Sequence, residues 1–254
     1  VYSNAQNNIS DSRIFSQIQV LNEDFRRTNS DAINTPSQFQ SVVADMSIIF
    51  CLATKDPDGN PTNGIIRKFT NKSGFSLYDT TIHYNATGGS DAWDSEKYLN
   101  IWVCNIYGGI LGWAQFPYAG TKETDGVVIN HDNFGVNLNY LSAYNLGRTT
   151  THEVGHWLNL FHVWGDNTCG DDFVFDTPTQ EQANYGCKIH PHISCQNSGD
   201  MFMNFMDYSD DDCMNSFTNG QKSRAWNCLL NYRNKIFISE PNYSARDLII
   251  TVSY

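Results

Sequence analysis

Residues 152–162 read His-Glu-Val-Gly-His-Trp-Leu-Asn-Leu-Phe-His. His152 and His156 are four apart, so on a helix of about 3.6 residues per turn they stack on one face and can grip a single ion. Glu153 is rotated from His152 by roughly 100° around that helix, which sets its carboxylate beside the ion, suited to take a proton from water. His162 cannot join them on a continuous helix, because regular rise would carry it about 15 Å along the axis. The chain must turn near residue 159, and such a turn calls for a left-handed backbone, for which glycine is best and asparagine next. Asn159 stands there. Three neutral imidazoles would hold zinc at roughly 2.0–2.1 Å and leave a position open for water, whose pKa falls toward ~7. The chemistry this pattern suits is metal-assisted hydrolysis, with Glu153 as general base.

With Asn159 in place of the usual glycine, the run resembles the metzincin signature H-E-x-x-H-x-x-G-x-x-H. A separate segment, 201–220, has Met206 two residues before Tyr208 and resembles the methionine turn beneath a metzincin zinc. Its wording, Asn204-Phe-Met-Asp-Tyr-Ser with Cys213-Met and Phe217-Thr-x-Gly-Gln, closely resembles the pappalysin family of metzincin zinc metallopeptidases.

That resemblance implies an α+β metzincin-type fold. An upper mixed sheet-and-helix subdomain, about 1–158, and a lower loop-rich subdomain, about 159–238, would face each other across a cleft, with 239–254 an extension or the start of a further domain. It implies a secreted zinc endopeptidase acting on proteins and peptides, with Tyr208 stabilising the oxyanion and Met206 as the turn methionine. Gly109, Ile110, Leu111 and Gly112 resemble the family's cleft-edge strand, which would bind extended substrate as an added strand. A preference for Arg or Lys just after the cleaved bond is implied too, with Asp212, in the acidic run 210–212, the expected counter-charge. By the same resemblance the chain begins at the end of the first sheet strand. The rest of that strand and an inhibitory propeptide are expected upstream.

Calcium is the second ion implied. The loop 165–178 packs aspartates and carbonyls together, the hard oxygen ligands calcium takes, and the family carries structural calcium in this region. The matching residues are Asp172, Asp176 and Thr177, with Asp166 and Asp171 beside them.

Two other classes share part of the pattern. A catalytically inactive, zinc-stabilised binding domain would keep the three histidines but has no need of Glu153 or an open position. A zinc hydrolase of small molecules has no need of an extended edge strand.

The formal charge of -11 over 254 residues disfavours a nucleic-acid surface and favours cationic partners. No stretch approaches the ~18 apolar residues that span a membrane. Seven cysteines indicate an oxidising compartment, and four of them, Cys169, Cys187, Cys195 and Cys213, follow the zinc signature. Four cysteines allow three pairings, and spacing does not choose among them; the pappalysin resemblance implies Cys169–Cys195 and Cys187–Cys213. Cys51, Cys104 and Cys228 lie in apolar runs and read as buried thiols. Val1 begins no basic-then-apolar leader, which indicates a mature or trimmed chain. His83 and His131 receive no role, and His190-Pro-His192 lacks the spacing and companions of a second metal site. Asn8, Asn71, Asn85 and Asn242 open glycosylation sequons.

Positioning elements follow from periodicity. Ile14, Ile18, Leu21 and Phe25 recur at helical spacing behind a Ser10/Asp11 cap, predicting a helix over 10–29 with one apolar face. Strands are predicted over 46–53, 65–69, 99–106, 112–116 and 126–130. Thr218 and Gln221 form a capping box for a helix running to 236.

Overall fold

A computed structural model describes residues 1–77 and 79–236, and the backbone alone of 248–253. The helix α1 spans Asp11–Phe25, with the Ser10 hydroxyl accepting from the Arg13 amide at 3.3 Å. It ends four residues before the predicted limit. Ile14, Leu21 and Phe25 are buried, and Phe25 meets the Phe50 ring edge-on and the Phe217 ring at a tilt, each at 4.9 Å. Burial of a ring of this kind contributes about 1.5–3 kcal/mol, so this one contact ties the helix to both halves of the chain.

The main sheet contains β2 (Ile48–Leu52), β3 (Leu99–Cys104), β4 (Gly112–Ala114) and β5 (Gly126–Asn130). A two-residue strand β1 (Val43–Ala44) pairs separately with β6 (Phe217–Thr218). The strand β7 (Leu248–Ser253) lies parallel between β2 and β3, giving the order β2-β7-β3-β5-β4. Of the 239–254 segment read as an extension or a further domain, the described part is therefore a strand inside the main sheet. Residues 237–247, with the Asn242 sequon, lie outside the described residues. β4 is antiparallel to β5 and has no other strand partner among the described residues, so its outer edge is open there.

One predicted strand is absent: residues 65–69 form no ladder, only a single parallel bridge from Phe69 to Tyr2. Its side chains lack a neighbouring strand to pair with, and an alternating pattern alone does not supply one. The strand predicted over 112–116 stops at Ala114, because Pro117 closes it.

The helix α2 (Arg148–Trp157) packs against α1, β4 and β5 with every residue buried. Past Trp157 the chain runs mostly in turns to α3 (Asn219–Tyr232), where Thr218 and Gln221 form the predicted capping box. The helix stops short of residue 236. The bridges Cys169–Cys195 and Cys187–Cys213 hold the intervening loops, each with Cα atoms 5.6 Å apart. Cys104 and Cys228 are buried free thiols, pushed up to about 12 and about 11 by burial, which keeps them inert; Cys51 is half-buried.

Candidate active site

α2 carries His152 and His156 one turn apart. After it the backbone reverses at Asn159, whose φ of 70° is the left-handed conformation the spacing demands. The Leu160 amide donates back to Gly155 O at 2.9 Å, closing the turn. His162 then returns to the first two. The Nε2 atom of His156 lies 3.0 Å from Nε2 of His152 and 3.0 Å from Nε2 of His162.

The outer ring nitrogens explain why these atoms converge. Nδ1 of His152 donates to Phe205 O at 2.7 Å, Nδ1 of His156 to Leu160 O at 2.8 Å, and Nδ1 of His162 to Asp166 Oδ1 at 2.6 Å. With the proton held on Nδ1 in each ring, three Nε2 lone pairs face one another without a donor between them, an arrangement that repels unless a cation sits there. Burial holds all three rings neutral, His156 down to about 4. Neutral imidazole is the form a metal binds, so the donor set fits zinc.

Two glycines permit close approaches around the trio. A side chain at Gly155 would collide with Met206 Sδ, so this glycine lets the wholly buried Met206 pack beneath the helix. A side chain at Gly112 would stand 3.0 Å from Glu153 Cγ, so its absence lets the edge strand lie against that carboxylate. Glu153 is buried and pushed up to about 8 by that burial; a neighbouring cation favours its ionised form. The Tyr208 ring lies 5.5 Å from His152 and 4.9 Å from His162. Burial, then the Glu153 charge, pushes its phenol above the usual range and keeps it a donor.

Beside the trio opens a cleft of about 530 Å³. Gly109, Ile110, Leu111 and Gly112 line it together with His152, Glu153 and Tyr208, so these residues are brought to one place. Asp212 is not among its walls. It is exposed, with Oδ1 3.3 Å from both sulfurs of the Cys187–Cys213 bridge. Besides Glu153, the carboxylates that do line the cleft are Asp207 and Asp211. An acidic run does not reveal which member turns inward; here Asp211 does, because the Leu146 amide at the approach to α2 binds it at 2.8 Å.

The aspartates of the acidic loop separate. Asp166 orients His162, and Asp176 accepts from Thr218 Oγ1 and Gly220 N, capping α3. Asp171 accepts from the Phe173 amide. Only Asp172 and Thr177 meet, at 2.7 Å, with the second Asp172 oxygen buried and without a hydrogen-bond partner. No set of three carboxylates converges among the described residues. His190 packs edge-on to Phe39 and His192 pairs with Asp200 at 2.9 Å, and the two belong to no ligand cluster among the described residues. His83 and His131 are buried elsewhere.

Several supporting residues carry no motif. Trp164 stacks parallel to His162 at 4.2 Å. Asp207 accepts from Gln180, Asn184 and the Tyr208 amide, fixing the turn that presents Tyr208. Gln17 bonds to Gly147 O and Thr150, and Asp24 to Thr151 and Arg148, fastening α1 to α2. Residues 17 and 24 are seven apart, hence on one helix face; polar residues on the apolar face were the available signal.

A mixed sheet with an open antiparallel edge, a zinc-suited helix and a reversed third histidine over a methionine turn is the metzincin-type metallopeptidase fold. Mirolysin in complex with a small compound superposes with a TM-score of 0.88 at 48% identity, covering 93% of this chain and 92% of that one. Mature mirolysin of Tannerella forsythia with a cleaved peptide gives 0.86 at 46%, covering 92% and 94%. Residues 83–230 match the peptidase M43 family, described as pregnancy-associated plasma protein-A, and the chain belongs to this pappalysin family. An extracellular metalloprotease of Colletotrichum graminicola is 44% identical over 131 residues, 48% of this chain and 46% of that protein. One from Verticillium alfalfae is 40% identical over 147 residues, 55% and 52%. The chain thus spans about half the length of the curated relatives it matches.

Proposed function

We propose that the chain is a zinc-dependent endopeptidase working outside the cell. The observation that carries this is the convergence of three proton-free Nε2 atoms next to a buried Glu153 on the wall of an open cleft. His152, His156 and His162 would hold zinc, which when bound supplies a Lewis acid for the scissile carbonyl and acidifies water. Glu153 takes the proton of the water that attacks the carbonyl carbon, then passes it to the amine as the carbon–nitrogen bond breaks. Tyr208 donates to the oxygen as it becomes negative, where a fixed donor in a dry site acts most strongly. Substrate would pair with the open edge of β4 and with residues 109–111 that lead into it; mirolysin, the similar structure, holds a cleaved peptide.

A preference for Arg or Lys after the cut rests on Asp211 instead of Asp212. Asp211 Oδ1 is buried in the cleft wall without a hydrogen-bond partner, an acceptor that a basic side chain would satisfy. For calcium, the support is the unpartnered Asp172 oxygen beside Thr177, on a carboxyl that burial pushes to about 7. Extracellular working fits the two disulfides and the names of the relatives; no helix among the described residues is long and apolar enough to cross a membrane. An inhibitory propeptide is proposed by analogy with promirolysin.

Glu153→Ala should retain about one zinc per chain while casein hydrolysis falls by roughly 10²–10⁴. Chelation of the wild type should abolish the same activity. Substantial cleavage by the variant would remove Glu153 from its role, and hydrolysis indifferent to zinc would remove the whole reading.

A further inference from the structure

The cleft lies on the side of the trio where His152 and Glu153 face Gly109–Trp113. Past the other end of β4 the surroundings differ. Phe116 lies 5.4 Å from the His156 ring and 5.4 Å from Phe161; Phe161 meets Phe173 edge-on at 6.0 Å, and Phe116 stacks on Tyr118 at 5.9 Å. Four rings from three separate segments therefore form one wall that starts at the metal-site helix and runs outward.

Two features show that folding alone does not account for the wall. Phe173 is 72% exposed and Tyr118 61%, so their rings add little to the core. Phe173 also sits at φ 60°, a left-handed conformation that is strained for a bulky L-residue. The Asp171 side chain, accepting from its amide at 2.7 Å, and the Cys169–Cys195 bridge hold the loop in that conformation. A strained backbone that presents an exposed ring beside a reacting centre is a feature of ligand contact.

We infer that the Phe116–Tyr118–Phe161–Phe173 wall is a subsite for an aromatic or large apolar side chain at one of the two substrate positions just before the cleaved bond. This rests on the endopeptidase reading above. If the residue after the cut enters the Asp211 cleft at the 109–112 end of β4, those before it must pass the far end, where Phe116 stands. The occupant is fixed by continuity with the β4 edge and by the chemistry of the rings, which pair with aromatic side chains.

The test uses peptides built around a site mapped on the wild-type enzyme, alike except for Phe or Gly at the first or second position before the cut. The wild type should favour Phe at one of them by about five- to tenfold in kcat/KM, the range of an aromatic pair. Phe173→Asn removes the ring with a residue that tolerates the left-handed backbone, and should bring that ratio close to one. Because the readout is a ratio, general loss of folded enzyme does not move it; Phe161→Leu should lower it as well. No preference in the wild type, or a ratio unchanged in both variants, would overturn the subsite. Concentration-dependent dimerisation abolished by Phe173→Asn would overturn it in favour of a second copy of the chain. Failure to hydrolyse any peptide would overturn the endopeptidase reading and this one with it.

Discussion

Replacing Asp211 by Asn tests the link between the cleft and substrate choice most directly. The Oδ2 atom of Asp211 accepts from Leu146 N at 2.8 Å and Arg148 N at 3.3 Å, while Oδ1 is buried without a partner. Arg148, the nearest cation, is already engaged by Asp31 at 2.5 and 2.9 Å and by Asp24 at 3.5 Å. Three carboxylates thus surround one guanidinium, and the pocket floor carries excess negative charge. A substrate guanidinium or ammonium at Oδ1 would gain a charged hydrogen bond of about 1.5–3 kcal/mol, or roughly 10- to 150-fold in kcat/KM. Asparagine has the same shape and can keep its oxygen toward the two amides, so the fold should persist while the charge goes. The assay is kcat/KM on paired peptides with Arg or Leu after the cut. The Arg peptide should lose one to two orders of magnitude and the Leu peptide little. Asp212→Asn, outside the cleft, should leave the Arg/Leu ratio as it is. Burial pushes Asp211 to about 6, so the preference should also weaken as pH falls through that value. Equal losses on both peptides, or a wild type indifferent to Arg, would refute the reasoning.

Further outcomes are expected elsewhere. Burial pushes Asp24 from 3.8 to about 7; a carboxyl raised in the folded state contributes stability that is complete below its unfolded pKa and lost as pH rises through the folded one, here about 4 kcal/mol between pH 4 and 8. Asp24→Asn removes that loss, so urea titrations should show the variant gaining on the wild type as pH rises; a constant difference would contradict it. Asn159→Ala should lower stability by about 1 kcal/mol at φ 70°, a fall of about 2–4 °C in Tm, and Asn159→Gly should not. Removing the Cys169–Cys195 bridge by paired Ser substitutions should cost about 3.5 kcal/mol for a separation of 26 residues, read from denaturant midpoints. Added calcium should raise Tm in the wild type and not in Asp172→Asn; an equal rise in both would free Asp172 of that role.

The spacing of His152, Glu153, His156 and His162 made the site's chemistry legible because helical geometry is local: four residues make a turn, and Asn159 marks where the turn must break. The apolar stripe of α1 and the capping box at Thr218 were legible for the same reason. Pairing partners were not. Whether 65–69 finds a neighbour, and that 248–253 lies between β2 and β3, depends on contacts between distant segments. The same holds for side-chain direction in loops. Asp210, Asp211 and Asp212 are chemically alike in sequence, and only the Leu146 and Arg148 amides turn Asp211 inward and leave Asp212 beside a disulfide. Within the acidic loop read as a calcium cradle, Asp166 holds His162 and Asp176 caps α3, while Asp172 and Thr177 stay together. Sequence determined which groups can react, because reactivity and helical spacing belong to residues a few positions apart; tertiary structure decided which of them meet, because burial and hydrogen bonding are settled between segments far apart along the chain.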